Sequence, residues 1–194
     1  MARRTGIAAS ELMAELESNP EWVKQRDERE QRRAALETEI RHEEQPLVAA
    51  LAKVGVFVRG VSDLVNTANS YPTAIPVLLE HLQRPYRTTI REFIARALAV
   101  REARPLAWTY MLQAAKENSD RDMGDGLFVA ISGMARPDDL STLIDLISDP
   151  SMGPQRVFLV ANLMRSKRPE ARETLLALRN DRDLRNEIAA RLKL

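Results

Sequence analysis

Residues 104–112 read Arg104-Pro105-Leu106-Ala107-Trp108-Thr109-Tyr110-Met111-Leu112, and residues 136–144 read Arg136-Pro137-Asp138-Asp139-Leu140-Ser141-Thr142-Leu143-Ile144. Each opens on Arg-Pro, with an apolar residue three positions after the proline and an apolar pair at six and seven. The frame recurs at Arg168-Pro169, with Leu175 and Leu176, and at Tyr71-Pro72, with Ile75, Leu78 and Leu79. The four prolines are spaced by 105 − 72 = 33, 137 − 105 = 32 and 169 − 137 = 32 residues. Proline suits the first turn of a helix, where its missing N–H has no partner to lose. Offsets three, six, seven and ten then share one helical face. Only the last copy breaks offset three, with Arg172.

A second stripe lies at offsets 22 and 26: Ile94/Leu98, Leu127/Ile131 and Leu159/Leu163. Residues four apart stack on one helix face. Each unit is therefore two helices, too short to bury both stripes alone. Stacking on neighbouring units buries them. Turn-rich breaks fall at Gln83 to Tyr86, Asn118 to Gly126 and Ser148 to Pro154. Asn180-Asp181 offers a cap for a last helix reaching Leu194.

The run from Arg84 to Leu98 resembles the first helix of a HEAT repeat. It has a polar turn, the aliphatic-arginine pair Ile90-Arg91, and small and aliphatic residues ending in Ala97-Leu98. The third unit keeps an arginine, Arg156, 19 residues after its proline, whereas the second has Gly124 there. Ala74 to Leu82 resembles the second helix of that family. The resemblance spans roughly residues 62 to 194. It implies an all-α chain built as a short right-handed α-solenoid of HEAT-like helix pairs, of the compact bacterial type. It also implies that the helix after each proline lines the concave face. Contact residues there would be Glu80 and Gln83, then Tyr110, Gln113 and Lys116, then Thr142 and Asp145, then Glu173. Trp108 falls on the apolar stripe and is expected in the core.

The N-terminal part differs. Ser10 to Ser18 reads as a short helix capped by Ser10. Asn19-Pro20 starts a long charged helix running to about Glu44. Lys24 to Arg33 is polar or charged throughout, and i,i+4 pairs such as Glu28 with Arg32 and Arg33 with Glu37 would support it. The expected organisation is a helical arm over residues 1–45, a degenerate capping repeat over 46–70 and a repeat domain over 71–194. The arm either docks a partner or a second copy, or lies as a solvated helix along the repeats.

Composition narrows function. Of 194 residues, 44% are hydrophobic but only 5% aromatic, which fits an aliphatic helical core. The net charge of +1 lacks the basic excess usual for a nucleic-acid domain. There is no cysteine, hence no disulfide or thiolate nucleophile. No run approaches the ~20 apolar residues of a membrane span, and no signal-peptide core follows Arg3 and Arg4. The expected compartment is the cytoplasm.

Candidate chemistry is sparse. His42 and His81 are the only histidines, and neither has a second ligand at metal spacing. Asp120 to Gly126 looks like a calcium loop, but Gly124 and Ile131 stand where ligands are needed. No catalytic residue, metal ligand or cofactor is assigned. The expected function is a non-catalytic protein-binding adaptor or scaffold using the concave face and the arm. The alternative is nucleic-acid binding, since certain DNA glycosylases resemble this architecture. Its phosphate contacts would be Arg156, Arg165, Lys167, Arg168 and Arg172.

Overall fold

A computed structural model describes residues 9–65, 67–117 and 123–192 of the chain. The described residues form eleven α-helices and no strand. The expected turn at Asn118 to Gly126, including most of the calcium-like stretch, lies largely outside them, as do Asn66 and Leu194.

Two compact units divide at Glu43/Glu44. In the first, α1 (Ala9–Glu17) packs on α2 (Pro20–Glu43). Ser10 already lies within α1, so the cap expected from it is not made at that position. Asn19 does cap α2, since its Oδ1 accepts the backbone N–H groups of Glu21 (3.0 Å) and Trp22 (3.3 Å). Along α2, Arg32 pairs with Glu28 (3.8 Å) and Arg33 with Glu37 (3.1 Å). Arg26 turns instead to Asp27 (2.8 Å) and lies over the Trp22 ring. No residue of α2 is buried.

The second unit holds α3 (Gln45–Lys53), a one-turn helix at Val61–Leu64, and then the proline-framed helices. These are α4 (Ala74–Leu82), α5 (Thr88–Ala97), α6 (Arg104–Glu117), α7 (Gly126–Met134), α8 (Leu140–Ser148), α9 (Val157–Arg165), α10 (Pro169–Ala177) and α11 (Arg185–Leu192). Pro105 and Pro169 sit at the starts of α6 and α10, Pro137 opens the turn leading into α8, and Pro72 precedes α4 by two residues. Offset six is buried in all four copies, at Leu78, Met111, Leu143 and Leu175, and the neighbour at seven is half-buried. The second stripe is buried at all six positions.

Helix α4 packs on α5 and α6, α6 on α7, and α8 on α9 and α10. Along the other set, α5 packs on α7, α7 on α9, and α9 on α11. The α5–α7 contact is close because glycines face it. A Cβ on Gly126 would stand 2.5 Å from the Glu92 carbonyl oxygen, and one on Gly133 would stand 2.2 Å from that of Ala99.

Two buried tethers join successive segments. Tyr71, which replaces the arginine of the other copies, donates from its hydroxyl to the Ala97 carbonyl at 2.8 Å. Arg91 and Arg156, each 19 residues after a proline, donate to the carbonyls of Leu82 (3.1 Å) and Ile147 (2.9 Å), each ten residues after the same proline. The arginine of the HEAT-like pattern therefore closes the turn between two helices in both units that carry it.

Candidate functional site

Among the described residues, no group of three or more histidine, aspartate or glutamate side chains gathers as a metal site. No helix among them is long and apolar enough to cross a membrane. The chemistry on offer is electrostatic and lies in one cleft.

That cleft, 810 Å³ in volume, opens where α7 ends and α8 begins, beside the α9–α10 connection. Its volume falls within the roughly 300–1,000 Å³ of ordinary ligand sites. The floor includes Leu140 and Leu143, both buried, with Ala135 and Gly133 beside them. Their burial follows from the proline frame, which turns offsets three and six inward. Ser132 and Asn162 form a polar step: the Ser132 hydroxyl donates to Asn162 Oδ1 (2.6 Å), and Asn162 Nδ2 donates to the Ser132 carbonyl (3.0 Å).

The rim is cationic. Arg101, Arg136, Arg165, Lys167 and Arg168 all line the cleft, all are exposed, and no aspartate or glutamate lines it. Arg168 lies 3.6 Å from Asp138, whose side chain is 94% exposed. Such a pair is held weakly in water. Among the described residues, the other four cations have no carboxylate within ion-pair distance. Arg165 ends α9, where a cation complements the helix dipole. Arg101, Arg136 and Lys167 lie outside α-helices, so the dipole does not account for them.

The neighbouring cations show the contrast. Arg104 is bidentate to Asp139 (2.7 and 2.8 Å), bonds the Met134 carbonyl (3.2 Å) and stacks on Trp108 at 4.2 Å. Trp108, expected in the core, is half-buried because that guanidinium occupies its face.

The phosphate contacts proposed from sequence separate. Arg165, Lys167 and Arg168 meet in the cleft. Arg156 does not: it is 1% exposed, and its guanidinium bonds the carbonyls of Gly153 and Ile147 and the carboxylates of Asp181 and Asp183. A buried, fully engaged arginine has nothing to give a phosphate, so Arg156 is a structural clasp. Arg172 is exposed on α10 and does not line the cleft.

The eight concave-face candidates are spread over α4, α6, α8 and α10 or just beyond. Glu80, Gln83, Gln113, Lys116, Asp145 and Glu173 are exposed, and Tyr110 and Thr142 are half-buried. None of the eight lines the cleft. Gln113 is engaged with Glu117 at 2.8 Å.

His81 is 2% exposed, with Nδ1 2.8 Å from the Tyr86 hydroxyl. Burial, and then the Arg84 charge, hold its pKa below the ordinary histidine value, while Glu80 acts the other way. It is a packing residue in contact with a hydroxyl.

Sequence reasoning missed Arg101, Arg136, Ser132 and Asn162. The available signal was arginine at one and at four residues before the framing prolines: Arg104, Arg136 and Arg168, and Arg101 and Arg165.

Comparison with protein families, with curated proteins and with solved structures finds no match to this chain.

Proposed function

We propose that this chain is a non-catalytic binding protein, an adaptor or scaffold built on a right-handed α-solenoid of HEAT-like helix pairs, that holds an anionic partner in the basic cleft. The observation that carries this reading is the concentration of five exposed cations around a cleft lined by no carboxylate, in a chain whose net charge is only +1. The solenoid reading is supported by helices packing on their counterparts one unit along, α5 on α7 on α9 on α11, with α4 on α6 and α8 on α10. Stacked units of this kind carry their ligand sites on repeated edges and faces. The exposed polar residues of α6 and α8, with the charged helix α2, are further surfaces such an adaptor would use.

Charge complementarity sets the test. Binding of a polyanion should weaken steeply with added salt. The double variant Arg136→Glu/Lys167→Glu should lose it while keeping the wild-type far-UV circular dichroism spectrum and melting temperature. A double variant that binds as wild type does would place the partner elsewhere.

A further inference from the structure

Resting on that reading, we infer that the partner is an acidic polypeptide segment carrying a leucine-sized apolar side chain. The cleft has two chemically distinct levels. Exposed Arg136, Lys167 and Arg168 stand at the rim, and buried Leu140 and Leu143 stand below. A small anion satisfies the rim alone. An apolar side chain flanked by carboxylates satisfies both levels, because the leucine leaves water as its acidic neighbours meet the cations. The Ser132–Asn162 step fits a peptide too. The Asn162 carboxamide donates one hydrogen and accepts one, and a primary amide has a further hydrogen and lone pair for a passing peptide group.

The same observations weigh against nucleic acid. Single strands are held by bases stacking on aromatic rings, and no aromatic residue lines the cleft. Duplexes are drawn by an extended cationic field, whereas residues 105–153 carry three basic and eight acidic groups. The only part of a nucleic acid that complements this rim is its phosphate, and phosphate leaves the apolar floor uncovered.

The test uses the full chain and fluorescence anisotropy with four probes. They are a labelled peptide of glutamates interrupted by leucines, the same peptide with serine for each leucine, an oligothymidylate, and inorganic phosphate as competitor. The leucine peptide should bind, and Lys167→Glu should weaken it. Replacing its leucines by serine should weaken it roughly tenfold or more. The change is made in the probe, so the protein's folding is not at stake. Equal affinity for the two peptides, tighter binding of the oligothymidylate, or full displacement by millimolar phosphate would overturn the inference while leaving an anion-binding cleft. Binding of none of the probes would overturn the functional reading itself.

Discussion

Replacing Arg156 by methionine removes a guanidinium that bonds two carbonyls, Gly153 (2.8 Å) and Ile147 (2.9 Å), and the carboxylates of Asp181 (3.1 and 3.2 Å) and Asp183 (3.3 Å). Methionine fills much of the volume but leaves two aspartates facing each other without a cation. Removing one partner of a buried ion pair costs about 3–5 kcal/mol. The Asp181 and Asp183 side chains retain 15% and 30% exposure, so water recovers part of their solvation. The lower end, about 3 kcal/mol, is therefore expected. For a chain of this size that is a fall of roughly 6–12 °C in melting temperature. Thermal and urea unfolding followed by far-UV circular dichroism would measure it. Arg172→Met, on an exposed position of α10, serves as the control and should stay within about 0.5 kcal/mol. A double-mutant cycle of Arg156→Met with Asp181→Ala should return a coupling of about 1–3 kcal/mol. An Arg156→Met protein within about 1 kcal/mol of wild type, or a coupling near zero, would refute the clasp.

Acid should loosen the same clasp. Burial works to raise the Asp181 pKa, but the N–H groups of Asp183 and Leu184 and the Arg156 guanidinium outweigh it and hold it below the ordinary carboxylate value. The stabilisation is thus present above about pH 4 and is lost as pH falls through the folded value; Arg156→Met should flatten that part of the pH–stability curve. His81 has a folded pKa below its unfolded one, so protonation favours the unfolded chain. Stability should fall as pH drops below about 6.5, and His81→Leu, the residue type at the equivalent positions Leu146 and Leu178, should remove that slope in a urea titration. Gly126→Ala and Gly133→Ala each push a methyl group into a backbone carbonyl that cannot rotate aside. Each should cost about 1–3 kcal/mol or more, and an alanine variant as stable as wild type would disprove the close α5–α7 approach.

The parts of the fold that could be read from the chain are those governed by local period. Offset six of the proline frame is buried in every copy because the helical repeat fixes which face a residue occupies once the helix start is marked. Exposure within a face is another matter. Trp108 and Ile75 share offset three, yet Trp108 is half-buried because Arg104 covers one side of its ring. Arg156 and Arg165 look alike as arginines of one unit. One is clamped between a carbonyl and two aspartates more than twenty residues away, and the other ends a helix at a cleft. That difference is set by contacts distant in sequence. The clue was the shared offset of Arg91 and Arg156, since a side chain that recurs at one register position serves the repeat before it serves a ligand.

The cleft follows from the same repeat, through a position where the repeat is broken. Four residues before Pro105 and Pro169 stand Arg101 and Arg165, and four before Pro137 stands Gly133. No side chain fits there, because the Ala99 carbonyl already occupies the space a Cβ would need. The close packing of α7 on α5 thus excludes an arginine from the middle unit at the register where its neighbours carry one. Along that edge the chain presents a cation, a vacancy and a cation, with Arg136 and Arg168 one residue before their prolines. The vacancy lies beside Leu140 and Leu143, and the flanking cations have no carboxylate to neutralise them apart from the exposed Asp138 beside Arg168. A packing requirement in the core and a charge periodicity on the edge together produce a site with an apolar floor and a cationic rim. Restoring the repeat with Gly133→Arg would therefore disturb the helix packing and the cleft together. The proposed function is better separated from the fold by charge reversal at Arg136 and Lys167, whose side chains are exposed at the rim.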